Sequence, residues 1–256
     1  MFIKGAIKIM LGLVVGALFG AAALHAQTKS FPLDSAEGLT LPNVKAEPVT
    51  YKGVKGLRVT MSDEALAARQ RASAASQQAP RAAKKAAAPE GRSVEFIAEL
   101  TGIEFHDGVI EVELAGEPSA DAGPQARGFV GIAFRIAPEE RDRYECFYVR
   151  PANGRADDQE RRNHSAQYVS HPEYPWFRLR GEAPSKNEAY VDLVPGEWTN
   201  VKIEVRDGKA RLFVHGNEQP TLIVNDLKRG AGARGRVGLW IEGGTVAHFS
   251  NLRISP

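Results

Sequence analysis

The chain has 256 residues, with 33 Lys and Arg against 31 Asp and Glu, a 43% hydrophobic share and a single cysteine. That mix suits one globular domain and excludes a mostly disordered chain, a collagen-like repeat and a multispanning membrane protein. Cys146 alone makes neither an internal disulfide nor a Cys-rich zinc site. About 230 residues bury enough surface to need no such staple.

Lys4 and Lys8 precede an apolar run from Ile9 to Leu24, which ends in small residues before Gln27. A basic head, an apolar stretch and an alanine-rich exit predict a secretory signal peptide over residues 1–26, cleaved after Ala26. The expected address is periplasmic or secreted, with no integral membrane span after cleavage. The run sits at the short limit for a span and has no basic stop beyond it. Cleavage removes two lysines and no acid, so a formal charge of +2 becomes zero. A balanced chain argues against nucleic acid as a partner, because phosphate neutralisation needs a basic footprint.

Residues 27–64 read as the opening strands of a sandwich, one or two of them between Phe31 and Met61. Ala65 to Pro89 then holds twelve alanines and five basic residues, with no acid and no aromatic. Its start has helical propensity, but Pro80 and Pro89 interrupt it. With no apolar stripe it buries little, which predicts a flexible Ala-rich basic insertion or a frayed helix over 65–91. The main sandwich spans 92–256.

From Ser93 onward the pattern alternates. Val109 to Leu114 puts apolar residues against acidic ones. Phe129 to Ile136 puts Val130, Ile132, Phe134 and Ile136 on one face, with Gly131, Ala133 and Arg135 on the other. Trp198 to Val205 alternates again, and Asp207-Gly208 then marks a two-residue hairpin. About a dozen short strands, with no helix expected after residue 93, predict an all-β, two-sheet antiparallel jelly-roll sandwich. Trp198 and Trp240 fall where such sandwiches bury an aromatic, and Cys146 reads as a small buried residue or a face residue without a redox partner.

Pro195-Gly196-Glu197-Trp198, Val201 to Val205, Gly235 to Trp240 and Phe249 to Ile254 follow in an order that resembles the concanavalin A-like (laminin-G-like) jelly-roll superfamily. Within it, the chain is similar to bacterial secreted 3-keto-disaccharide hydrolase-type domains. Arg127 to Arg135 resembles that family's Gly-Ile-x-x-Arg strand. The late Asn-Gly turn of the family is His215-Gly216 here. The resemblance covers about residues 93–256 plus a strand near 50–60 and implies the fold more strongly than an activity.

Alternation places Glu111 and Glu113 together on one strand face, the i and i+2 spacing of glycosidase carboxylates. The superfamily's retaining glucanases carry a third acid at i+4; Ala115 stands there, so that mechanism is excluded. The plain alternative is a solvated strand face. The resemblance implies a second chemistry. A 3-keto group acidifies its neighbouring C–H, so Glu111 or Glu113 as base and Arg135 or Arg150 as enolate stabiliser would suffice.

Arg150 to Arg180 is the least strand-like stretch and the richest in ligand-capable groups. Tyr148, Arg150, Asn153, His164, Gln167, Tyr168, Trp176 and Arg178 are the expected ligand-binding residues. Planar polar groups suit sugar hydroxyls, and Trp176 supplies an aromatic plate. The alternative is a long loop whose aromatics pack beneath it. Asp157 and Asp158 are candidates for calcium, the one cofactor these acids could hold; no other metal or cofactor is expected. His164 and His171, seven apart, match no zinc helix motif. Three functions stay open: an exported domain binding carbohydrate on an exposed sheet face and its covering loop, a 3-keto-glycoside hydrolase or lyase, and an adhesion domain.

Overall fold

A computed structural model describes residues 27–78 and 96–256. The predicted signal peptide, residues 79–91 of the predicted insertion and residues 92–95 lie outside the described residues. The opening region forms four strands rather than one or two: β1 (Lys29–Phe31), β2 (Leu39–Thr40), β3 (Val44–Tyr51) and β4 (Val54–Met61). The insertion begins as a helix, α1 (Asp63–Gln78), where Ser62 Oγ accepts the Ala65 amide at 3.2 Å and caps the first turn. Next come β5 (Phe96–Leu100), β6 (Gly108–Pro118), β7 (Val130–Ile136) and β8 (Tyr144–Val149).

Three short helices interrupt the stretch expected to hold none. They are α2 (Pro151–Gly154), α3 (Gln159–Asn163) and α4 (Trp176–Glu182), with β9 (Ala166–His171) between the last two. Each is too short to carry an apolar stripe, so periodicity gives no sign of them. Then follow β10 (Glu188–Ala189), β11 (Thr199–Arg206), β12 (Lys209–Val214), β13 (Leu222–Val224), β14 (Arg236–Ile241) and β15 (Thr245–Ser255).

The strands build a two-sheet jelly-roll sandwich, and every strand pair among the described residues is antiparallel. One sheet has eight strands in the order β13-β12-β11-β6-β15-β4-β3, with β1 also on β15. The other has seven, β10-β9-β8-β7-β14-β5-β2. Between them lie Ile110, Val112, Leu114, Val201 and Ile203 from the first sheet and Val130, Ile132, Phe147 and Leu239 from the second, all buried. No helix among the described residues is long and apolar enough to cross a membrane.

The two sheets treat their outer faces differently. β6 and β11 alternate buried with partly exposed residues, as a sheet wetted on one side does. Every residue of β7 and β8 is buried. On that outer face Gly131 lies opposite both Tyr148 and Trp240. The two rings stack 4.8 Å apart, and a Cβ on Gly131 would stand 2.6 Å from the Tyr148 Cβ. The small residue therefore makes room for the protein's own aromatics. Trp240 donates to Tyr144 at 3.1 Å, and Tyr144 stacks on His171. Trp198 is only half-buried, donating from Nε1 to the Tyr51 carbonyl at 3.1 Å. Cys146 is buried.

Candidate functional site

The register of β8, β9 and β10 gathers four polar side chains on the outward face of the seven-stranded sheet. Tyr148 is paired with Gln167 and Gln167 with Glu188, so these three point the same way, and Arg150 follows two residues after Tyr148. Arg150 is the hub. It donates to the His164 carbonyl at 2.7 Å, to the Tyr148 hydroxyl at 2.9 Å and to Gln167 Oε1 at 3.0 Å. Its guanidinium also lies over the Phe129 and Tyr148 rings. Gln167 Nε2 donates to the carbonyls of Tyr168 and Asn187, which fixes the orientation of its amide. Burial pushes the Tyr148 phenol up to about 12, so it stays protonated.

Glu188 is the buried acid of the cluster. The loop carrying α4 brings Arg180 onto both of its carboxylate oxygens, and Arg150 lies 3.7 Å away. His164 Nδ1 sits 2.9 Å from Glu188 Oε2, close enough for attraction though off the line of a hydrogen bond. Burial lowers the His164 pKa below its usual value; the Arg180 and Arg150 charges act in the same direction and Glu188 opposes them. The ring is therefore neutral at pH 7. With Nδ1 turned to the carboxylate, Nε2 is the nitrogen left for a ligand. Beside it, Arg180 lies 4.7 Å from the centre of the Trp176 ring, which is 44% exposed. Phe177, the next residue, is also exposed. The arrangement combines a neutral base, two guanidinium groups against one carboxylate, and a solvent-facing aromatic plate.

Of the residues expected from sequence, the structure brings Tyr148, Arg150, His164 and Gln167 together. Asn153 joins them from beneath, donating to the His164 carbonyl at 3.3 Å, and Trp176 joins through Arg180. Tyr168 does not: it alternates to the inner face, where its hydroxyl donates to Glu145 at 2.8 Å. Arg178 lies over Tyr174 and pairs with Glu182 on the surface.

Arg135 departs from its expected face for a specific reason. β7 takes three steps between Ala133 and Ile136 while β14 takes two between Gly238 and Arg236. The extra residue is a β-bulge, and Arg135 has a φ of 53°. A bulge reverses side-chain parity. Arg135 turns inward to a buried network with Asp107 at 2.9 Å and Glu145 at 3.3 Å. Glu111 and Glu113 lie on the outer face of the other sheet, across the core from Arg150. The expected trough of acids and arginines is thus two separate places.

Asp158 spends one oxygen capping α3, accepting the Arg161 amide at 3.0 Å. No cluster of three or more His, Cys, Asp or Glu that could hold a metal occurs among the described residues. Sequence reasoning missed Glu188, the anchor of the cluster. It sits in a two-residue strand with no periodicity to mark it, and only the fold brings it against His164.

The model of the 3-keto-alpha-glucoside-1,2-lyase-like domain family matches residues 78–255. Among solved structures, the carbohydrate-binding module CBM66 from Bacillus subtilis is similar at 10% identity and a TM-score of 0.51, covering 85% of this chain and 96% of that one. A Bacillus subtilis protein of unknown function with a galectin-like fold is similar at 12% identity and a TM-score of 0.50, covering 89% and 94%. At these identities the likeness speaks for the fold. No curated protein matches the chain.

Proposed function

The chain belongs to the 3-keto-alpha-glucoside-1,2-lyase-like domain family, and from that premise we propose that it is an exported protein that binds a carbohydrate over β8–β10 and α4 and eliminates across C1–C2 of a 3-keto-α-glucoside. The observation that carries this reading is His164, neutral and set against the buried Glu188 between two arginines.

The chemistry follows from the ketone. A carbonyl at C3 acidifies the C2–H bond, and His164 Nε2 removes that proton. The electron pair moves onto the C3 oxygen, giving an enolate that the guanidinium of Arg180 stabilises, with Arg150 adding positive field from beneath. The enolate reforms the ketone as the C1–oxygen bond breaks. The aglycone oxygen takes a proton from solvent, and a C1=C2 double bond conjugated to the C3 ketone remains. In an α-glucoside chair, C2–H and the C1–oxygen bond are both axial and anti, the alignment elimination needs. Trp176 stacks on the apolar face of the sugar. Arg150 is a positioning residue that holds His164 through its carbonyl, and Gln167 and Tyr148 hold Arg150 in turn.

The test uses p-nitrophenyl 3-keto-α-glucoside. Elimination releases nitrophenolate and an ultraviolet-absorbing enone together, and the α anomer reacts faster than the β. Nitrophenolate without the enone would mean hydrolysis instead. A second reading, binding without turnover, draws on Glu188, whose two oxygens are already held by Arg180. It predicts saturable sugar binding with neither product.

A further inference from the structure

A groove of about 630 Å³ opens on the outer face of the eight-stranded sheet, across the core from His164. It falls within the range of small-ligand sites, about 300–1,000 Å³. Its polar floor comes from three adjacent strands. In β6, Glu111 and Glu113 stand side by side; Lys202 and Asn200 of β11 face them on one flank, and Arg253 faces Glu111 from β15 on the other. β15 carries one extra residue between Ser250 and Arg253, and Asn251 takes the left-handed conformation there, with φ 52°. That bulge delivers the Asn251 amide to Glu113 Oε2 at 2.6 Å. Among the described residues, Glu113 Oε1 has no protein partner. Phe31, the last residue of β1, and Pro32 after it form an apolar wall.

We infer that this groove is a second binding site, taking a neutral polyhydroxylated ligand, a sugar ring with vicinal hydroxyls. Arg253 answers Glu111 at 3.4 Å and Lys202 answers Glu204 at 2.8 Å, so both cations are already paired, and a neutral sugar enters without a charge of its own to desolvate. Carboxylate oxygens accept from hydroxyls, while the Asn200 and Asn251 amides both donate and accept. Side by side, such planar groups match the spacing of adjacent ring hydroxyls. The wall of Phe31 and Pro32 offers a surface to the C–H face of the ring. The site is independent of the elimination chemistry, because the packed core separates the two faces.

Backbone amide spectra of residues 27–256, titrated with maltose, cellobiose and cellotetraose, test it. At least one of these neutral sugars should move the amides of Glu113, Asn200 and Asn251. Glucuronate and glucosamine should bind there more weakly. Asn251→Gly keeps the left-handed backbone and removes the amide; it and Glu113→Gln should each weaken the neutral sugar tenfold or more. Asn251→Gly should leave turnover of the 3-keto-glycoside unchanged, whereas His164→Ala should abolish turnover and leave the groove shifts intact. The inference is overturned if no neutral sugar moves these amides, if either charged sugar binds there more tightly, or if both variants bind like the parent.

Discussion

Arg135 and His164 are both charged-type side chains among other polar groups, yet their surroundings give them opposite uses. Arg135 is fully buried, and its donors go to Asp107, Glu145 and the carbonyls of His106 and Gly230. A guanidinium so committed holds the end of the sandwich together. Arg135→Ala strands Glu145 inside the protein and should cost about 3–5 kcal/mol in urea unfolding. Adding Glu145→Gln should recover part of the loss. A loss below 1 kcal/mol would mean the network contributes little. His164 instead keeps one ring nitrogen uncommitted. Its pKa is lowered, and a general base acts deprotonated, so turnover should be level near pH 7 and decline only as pH falls below about 6.5. His164→Gln should lose about 10²–10⁴-fold in kcat and with it that acid limb. A limb that persists in the variant would assign the base elsewhere.

At the scale of elements, the face that holds the site is packed before any ligand arrives. Gly131 admits Tyr148 and Trp240, so Gly131→Val should destabilise the fold by at least about 1–3 kcal/mol and disturb tryptophan fluorescence. Unchanged stability and fluorescence would show that the two rings have room to move. Much of this architecture was legible in sequence because it rests on local rules. Asp207-Gly208 makes its hairpin with φ of 49° and 74°, and His215-Gly216 adopts the same left-handed pair, 61° and 69°, where the family's turn has Asn-Gly. Alternation placed Tyr148 and Arg150 on one face, and Glu111 with Glu113 on another. Alternation failed at Arg135 because one inserted residue in β7 inverts every parity argument made through it. It also could not tell that Glu111 and Tyr148 lie on different sheets, since period two names a face but not the layer it belongs to. Glu188 and the three short helices were out of reach for the same reason: tertiary contact, not local pattern, creates them.

For the molecule as a whole, the sandwich separates two charged surfaces and shelters several titratable groups. His171 and His248 are both lowered to about 4, chiefly by burial. A histidine whose folded pKa lies below its unfolded value adds stability that is complete above about pH 6.5 and lost as pH falls toward 4. Glu145 and Glu242, raised by burial, act against that slope as they take up protons. Between pH 7 and pH 5 the parent should therefore lose more Tm than a His171→Gln, His248→Gln double variant, by roughly 5 °C. Equal losses would remove the histidines from the acid response.

Proton exchange at C2 reports most directly on elimination at His164. Methyl 3-keto-α-glucoside incubated with the protein in D₂O should lose its C2–H resonance and gain an enone signal well above the buffer rate, with C4–H little changed. His164→Gln should bring both changes back to the buffer rate. A C2–H signal that outlasts complete saturation of the protein with this sugar would contradict the proposed chemistry.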